Sequence, residues 1–505
     1  MKRVIGIHGL AILSIVLLIS SCGTKKSTNL ISNKTGWSFN DAGFGGFDVP
    51  LYEGQYLAPG MRFVEGGRFT MGQTDEDLMF ENNAIPRTVS VPSFFMDEYE
   101  VSNLNYREYT YWMGRTLFND YPEIYIKALP DTQCWRKALQ FNEPMVERYF
   151  RDAAFNNYPV VGVSWEQSVN YCKWRTDRVN ELILIKRGHL KKNPYQVSEE
   201  NFVTKSYVAG QYEGMAGIKK RDLNPTGSKK RNVGYEDGIL IADVRLPTEA
   251  EWEFAALGLI GRNPERDSQR RIGEEVVTDR QVYPWADNLS TRETQRTQYQ
   301  GRQLGNFMRG QGDAAGVAGG LNDNAFGPGE VNSYKPNAYG LYNMAGNVNE
   351  WVLDVYRPNT MEDAHELKPF RGNDFEEYLT LEDFSLEEKD STGALLKRKI
   401  TKEQLERKNQ IYRQSDMINY LDGDSLSNSY YDYGNTTLIN DSSHVYKGGS
   451  YADRAYWMSP GTRRFLQAHQ TSPTIGFRCV QDRLGSPSLK GPTGNYFTGS
   501  KKKSR

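Results

Sequence analysis

The sequence predicts an irregular, loop-rich fold of short strands and well-capped helices, low in regular secondary structure and interrupted by long polar insertions. Three observations predict it. The 505 residues include 47 glycines and 31 tyrosines, and aromatics at 12% supply much of the core material of a chain that is only 38% hydrophobic; this balance favours turns and aromatic clusters over a long-helix bundle. Apolar residues keep helical spacing behind two capping boxes and elsewhere form short runs punctuated by Gly, Asn and Pro. Two stretches, 188–243 and 356–440, are polar and charged and read as insertions into one domain. A formal net charge of -1 offers no basic surplus for a nucleic-acid partner.

Taken in order, the chain begins with a destination signal. Lys2 and Arg3 precede an apolar run over 4–19 that closes on Ile19-Ser20-Ser21-Cys22. The run is short for a spanning helix, which needs about 20 residues, so 1–21 reads as a secretory signal peptide. The small residues before Cys22 resemble the lipobox of bacterial lipoproteins, although Ile19 stands where leucine is commoner; Cys22 would then be the acylated N-terminus, and several acyl chains make a firm anchor. Gly23-Thr24-Lys25-Lys26 supplies none of the acidic residues that resemble a surface-export signal, which implies the periplasmic face of the outer membrane.

Residues 22–59, rich in Ser, Asn, Gly and Asp, form the expected lipid-anchored linker, and the domain is expected over 60–483. Phe63, Phe69 and Met71 flank Gly66-Gly67 and predict a short hairpin. A further extended run over 88–96 leads to Ser102, which can cap a helix. Ser164 with Gln167 opens a helix reaching Gly188, its buried stripe formed by Val169, Cys172, Thr176, Val179 and Ile183. Thr248 with Glu251 opens another, packed through Trp252, Ala255, Ala256 and Leu259. The basic insertion 188–243 is most simply a solvated loop, and more sharply a partner surface. The second insertion starts acidic, and Thr401-x-x-Gln404 predicts an exposed helix within it. Core folding resumes at Val445, closes over 476–480, and gives way to a basic tail over 484–505.

The most informative run is Asn337 to Trp351, N-A-Y-G-L-Y-N-M-A-G-N-V-N-E-W. Its glycines and asparagines tolerate left-handed backbone, so the chain can turn every few residues while Leu341, Met344, Val348 and Trp351 pin it to a core. Amide and main-chain oxygens beside Glu350 supply hard ligands suited to Ca²⁺; a buried loop without an ion fits the same residues. Elsewhere catalytic signals are sparse. His189, His365, His444 and His469 sit in no recognisable motif, and no H-E-x-x-H, G-x-S-x-G or phosphate-binding loop occurs.

In order, G-G-x-F-x-M-G, E-V-S-N, P-V-V-G-V-S-W, R-L-P-T-E-A-E-W-E, Y-P-W, the 337–351 run, K-G-G-S-Y and G-F-R-C resemble the formylglycine-generating-enzyme (sulfatase-modifying) family. The resemblance implies a single compact α+β fold related to C-type lectins. The family's oxidase chemistry needs two copper-binding cysteines, five apart, after G-G-S-Y; Asp453 and Met458 fall there, and a carboxylate and a thioether cannot form a dithiolate site. The resemblance therefore implies a non-catalytic member with no copper. It implies up to two structural Ca²⁺ ions, one at Asn343, Gly346, Val348 and Glu350 and one at Asn306, Phe307, Asp323 and Ala325. It also implies a Cys172–Cys479 disulfide, closing a loop of about 300 residues and leaving Cys134 free; two buried thiols are the alternative. Asn349 stands where tryptophan is usual before Glu350.

The lipoprotein start, Ala128-Leu-Pro-Asp-Thr-Gln-Cys-Trp135 and Trp174-Arg-Thr-Asp-Arg-Val-Asn-Glu181 resemble the gliding-motility lipoproteins of Bacteroidetes. That likeness implies a structural or interaction component of gliding and type IX secretion, with outer-membrane proteins and sister lipoproteins as partners. A periplasmic enzyme of the formylglycine-generating type and a glycan-binding module are the competing readings.

Overall fold

The computed structural model describes residues 31–485 apart from 42, 44–47, 51–53, 74–76, 225–227, 259–280, 286–289, 311–324, 358–366, 368–369, 373–374, 383–384 and 401–437. The signal peptide, Cys22, Asp323, Leu259, the helix expected at Thr401 and nearly all of the basic tail lie outside the described residues. The chain forms two compact units, a smaller one from Met1–Leu51 with Lys219–Asp237 and a larger one from Tyr52–Ile218 with Gly238–Arg505. In the smaller unit Lys220–Arg221 pairs with Lys230–Arg231, and the turn that follows is tied by Arg231 to both oxygens of Asp237 at 2.6 and 2.9 Å.

The larger unit mixes helices with two four-stranded sheets. The first runs, in spatial order, Met61–Val64, Phe94–Asp97, Val480–Asp482 and Val244–Arg245, all antiparallel. The second runs Arg464–Gln467, Ser443–Lys447, Asn349–Val355 and Ile475–Gly476, the last pair parallel. The hairpin expected around Gly66-Gly67 does not form. Met61–Val64 pairs with Phe94–Asp97, whereas Gly67–Met71 pairs with Arg87–Val91 in a separate ribbon. The glycine serves close approach instead of a turn: a Cβ at Gly66 would overlap the Val91 carbonyl oxygen, and the Gly66 N–H donates to Ser93 Oγ at 3.0 Å.

The helices start where their caps place them. Ser102 accepts from Asn105 N ahead of Asn103–Thr116. Complete capping boxes open Trp165–Lys186 at Ser164 and Glu249–Leu257 at Thr248. Along the first of these the buried stripe includes Tyr171, Trp174, Asn180 and Leu184 besides Cys172 and Thr176, while Val169, Val179 and Ile183 are half-buried at its edge. Asn180 of the stripe and Asp177 beside it also accept main-chain bonds, from Ile241 N and Thr204 N at 2.8 Å each. All nine residues of Glu249–Leu257 are buried, glutamates included.

Among the described residues, two large aromatic-rich clusters make most of the core. One gathers Phe69, Phe94, Met96, Trp252, Phe254 and Tyr356. The other gathers Tyr106, Tyr109, Tyr171, Trp174, Trp351 and Phe477. The first insertion is not a solvated loop. Leu190, Phe202, Tyr207 and Ile241 are buried, because the insertion brings its own apolar residues to cover the long helix. The second insertion meets the first: Ser206 Oγ donates to Gly393 O at 2.6 Å and Gln211 Nε2 to Glu387 O at 2.9 Å. Among the described residues no helix is long and apolar enough to cross a membrane.

Candidate functional site

The 337–351 segment is irregular for the reason its composition gives. Asn343 and Asn347 adopt φ of 53° and 65°, and Gly340 and Gly346 lie at 79° and 81°, backbone that asparagine and glycine tolerate best. At Gly346 a Cβ would strike the Asn306 carbonyl oxygen. The turns are stitched to flanking chain: Asn347 N donates to Asn306 O, Gly346 N to Gly448 O and Tyr451 N to Asn347 O, each at 2.8 Å. Asn347 Oδ1 accepts from Gly329 N at 2.7 Å and Nδ2 donates to Glu100 at 2.8 Å. The segment thus joins 305–307, 327–329 and 448–451 into one knot.

Glu350 and Glu100 lie inside that knot, 0% and 2% exposed. Glu350 accepts from Arg478 Nε and Nη2 at 2.6 Å each and from Trp252 Nε1 at 2.7 Å. Glu100 accepts from Asn343 Nδ2 at 3.0 Å. Burial, reinforced by the nearby Glu350 charge and opposed by Arg478, pushes the Glu100 carboxyl up to about 8. Glu350 therefore holds the Arg478 guanidinium, Glu100 is hydrogen-bonded by the Asn343 and Asn347 amides, and Asn343 Oδ1 is buried with no partner. An unfilled amide acceptor beside two carboxyl groups offers hard oxygen ligands, which a cation would claim by displacing the Glu100 proton. Of the first calcium set, Asn343 and Glu350 both lie beside Glu100, although the Glu350 charge is already matched by Arg478. In the second set Asn306 and Phe307 are buried and Ala325 is half-buried; Asn306 Nδ2 donates to Gly327 O at 3.0 Å. Asn347 links the two sets through its 3.4 Å contact with Asn306 Nδ2. The sequence drew attention to Glu350 and missed Glu100, whose E-V-S-N context shows only a helix cap.

The positions where the resemblance calls for copper-binding thiolates hold different chemistry. Asp453 accepts from Arg464 Nη1 and Nη2 at 2.7 and 2.8 Å, from Ser450 N and Oγ at 2.9 and 2.6 Å, and from Asn349 Nδ2 at 3.0 Å. Arg464 Nη2 also donates to Asn349 Oδ1 at 2.6 Å, closing a three-residue ring. Burial alone would raise the Asp453 carboxyl, but the Arg464 pairing overrides it and holds the group below the usual range. Met458 is fully buried and packs with Phe307, Ala345, Tyr283 and Trp285. The site is an internally neutralised ion pair beside an apolar plug. Next to it, a cavity of about 990 Å³ is lined by Trp135, Tyr158, Arg302, Tyr334, Tyr451 and Ala452 among others.

A second buried ionic cluster was not legible in the sequence. Lys447, from K-G-G-S-Y, reaches Glu249 at 3.2 Å and Glu253 at 2.9 Å. Arg463 bonds Glu249 through Nε and Nη2 at 2.6 and 2.9 Å. Burial works against ionisation of Glu249, but Arg463 and Lys447 draw its carboxyl down to about 2. Each carboxylate is matched by a hydrogen-bonded cation or main-chain N–H, the condition under which buried charge is tolerated. Cys172 and Cys479 come together in the second core cluster, Sγ to Sγ 3.3 Å, both buried. Cys134 is half-buried, and burial next to Asp131 pushes its thiol up to about 12, which makes it a poor nucleophile. Of the histidines, His444 is buried and stacked on Trp165 at 3.7 Å. Among the described residues no group of three or more His, Cys, Asp or Glu is arranged to hold a metal.

The profile of the FGE-sulfatase family, described as a sulfatase-modifying factor enzyme 1-like domain, matches residues 48–483. The chain is 27% identical over 312 residues to the formylglycine-generating enzyme of Thermomonospora curvata, covering 61% of this chain and 75% of that protein. It is 24% identical over 324 residues to the mouse inactive C-alpha-formylglycine-generating enzyme 2, covering 61% and 73%. Its match to the mouse formylglycine-generating enzyme spans 57% of that protein, at 22% identity. Among solved structures, Treponema denticola variable protein 1 aligns over 84% of this chain and 97% of its own, with TM-score 0.37 and 15% identity.

Proposed function

The chain belongs to the FGE-sulfatase family, and from that premise we propose that it is a non-catalytic member, a lipoprotein of the GldJ type that serves as a structural and interaction component of gliding motility and type IX secretion. One observation carries the non-catalytic half of the reading: Asp453, Arg464 and Asn349 saturate one another where the oxidase would need a thiolate pair. An aspartate locked to a guanidinium offers neither a soft ligand for Cu(I) nor a nucleophile. The relatives of this family include proteins described as inactive, so loss of the oxidase is compatible with retention of the fold. The location half rests on the lipobox-like run before Cys22, with the acylated chain held at the periplasmic face of the outer membrane. Within this reading the fold is related to that of C-type lectins, with which its irregular loops agree.

Calcium has a structural role in this proposal. Asn343 and Glu350, with the Gly346 and Val348 carbonyls, would hold one ion, and Asn306 and Asp323, with the Phe307 and Ala325 carbonyls, another. Bound there, Ca²⁺ would satisfy buried oxygens that no regular secondary structure satisfies. The proposed function is tested by pull-down of the acylated protein from its native membranes. Recovery of outer-membrane proteins and sister lipoproteins of the secretion machinery is the expected result, and a gene deletion should impair secretion, surface movement or both. Copper-dependent oxidation of a cysteine-containing sulfatase peptide by the purified protein would overturn the non-catalytic reading.

A further inference from the structure

The smaller unit carries a charge pattern that the role proposed above leaves unused. Residues 219–237 hold six cationic side chains against three carboxylates. In the ribbon of Lys220–Arg221 and Lys230–Arg231, Lys220 lies opposite Arg231 and Arg221 opposite Lys230. Directly opposed residues share a face and successive ones alternate, so the two pairs lie on opposite faces. The first pair is neutralised. Lys220 Nζ is 3.6 Å from Asp237, which Arg231 binds at 2.6 Å, and Arg231 also reaches Glu236 at 3.3 Å and Asp48 at 3.7 Å. Arg221 and Lys230 are exposed, and among the described residues neither forms an ion pair. Like charges set directly opposite each other repel, and Lys219 and Lys229 beside them are exposed cations as well. An anionic surface laid on this face removes the repulsion.

The same unit contains the first described residues of the chain. Ile31 lies nine residues after Cys22, a span of at most about 30 Å. The segment that Ile31 opens is tied to the ribbon by the Asp48–Arg231 contact. Ile31 and Trp37 in that segment, and Tyr235 after the ribbon, are exposed. Aromatic side chains with an apolar body and a polar end suit the headgroup level of a bilayer. An acyl group on Cys22 would therefore hold a bilayer within reach of the unit that bears the unpaired cations.

We propose that the ribbon face of Arg221 and Lys230 docks on anionic phospholipid headgroups. The lipid phosphates accept from the guanidinium and the ammonium, which gives an electrostatic contact beside the acyl anchor. The choice of a bilayer as occupant rests on the lipoprotein reading; the opposed cations do not.

The test is co-flotation of the unacylated mature chain, residues 23–505, which keeps every described residue. The vesicles are phosphatidylcholine alone, or equal parts phosphatidylcholine and phosphatidylglycerol. Binding is expected only to the anionic vesicles and should weaken as salt rises. Each cation near such a surface contributes about fivefold, so Arg221→Gln with Lys230→Gln should weaken binding at least about tenfold. Lys127→Gln, at an exposed position of the larger unit, should leave it unchanged. Lys219→Gln with Lys229→Gln serves as the readout if the first double variant misfolds. Equal binding to both vesicles, no binding, or indifference to both double substitutions overturns the proposal. Displacement by poly-glutamate or inorganic phosphate at matched charge would assign the face to an acidic protein or a free anion, and overturns it too. The lipoprotein reading fails separately, on an intact mass of the native protein that lacks an acylated Cys22, because the flotation uses no acyl group.

Discussion

At the scale of single residues, Asn349 and Asp453 meet in one hydrogen-bonded ring. Asn349 and Asp453 are 104 positions apart, yet they bond each other at 3.0 Å and share Arg464. Removing the cation should leave a largely buried carboxylate uncompensated, so Arg464→Met is expected to lower stability by about 3 kcal/mol in urea denaturation, with Asp453→Asn in the same chain recovering part of it. His444 gives a pH-dependent counterpart. Burial lowers its folded-state pKa from 6.5 to about 4. The unfolded chain therefore binds a proton between those values while the folded chain does not, and stability falls as pH drops from 6.5 toward 4. The shift corresponds to about 3 kcal/mol at most. His444→Phe should flatten the stability profile in that window; an unchanged slope would mean that other groups dominate it.

At the scale of elements, the caps were readable and the partners of the elements were not. Ser164 receives Gln167 N and its own N–H donates to the Gln167 side chain, so Ser164→Ala should cost about 1 kcal/mol. The strand around Gly66 shows the limit of local reading. A glycine pair between apolar residues is equally good grammar for a turn and for a close crossing, and only the backbone over 91–93 decides between them. The first insertion teaches the same lesson from composition. Its lysines and arginines gave the run a solvated character, while Phe202, fully buried among Tyr207 and Tyr212 at ring separations of 5.7 and 5.2 Å, belongs to a core. Phe202→Ala is accordingly expected to destabilise by about 3 kcal/mol, against the roughly 0.5 kcal/mol of a substitution in a solvated loop.

At the scale of the whole molecule, stability depends on contacts between chain segments far apart in sequence. The thiols of Cys172 and Cys479, 307 positions apart, meet at 3.3 Å. Beside them Arg175 bonds both oxygens of Asp97 at 2.7 and 2.8 Å, and Asp97 Oδ2 accepts from Cys479 N at 3.0 Å. If an oxidising compartment joins the thiols, alkylation of the unreduced, unfolded protein should label Cys134 and neither Cys172 nor Cys479, and reduction should lower the melting temperature; labelling of all three would return the pair to the status of buried thiols. Calcium is tested at the same scale. Chelation with EGTA should lower the melting temperature of the purified protein, and an unchanged curve would argue against ions bracing the 337–351 knot.

Sequence alone determined what is local or carried by motif order: the family, the two capping boxes, the left-handed asparagine and glycine turns of 337–351, and the replacement of the expected cysteines by Asp453 and Met458. These follow from residue type and short spacing, which fix backbone preference and ligand chemistry without knowledge of neighbours. Tertiary structure alone decided which charges face each other. Glu100 against Glu350, Lys447 between Glu249 and Glu253, and Asp453 within the Arg464–Asn349 ring are long-range pairings, and a buried charge announces its partner only once the chain has folded around it. The run from Asn337 to Trp351 was visible as a ligand-rich turn; that its two amides and its glutamate enclose a second carboxylate was set by packing against Glu100 and Arg478.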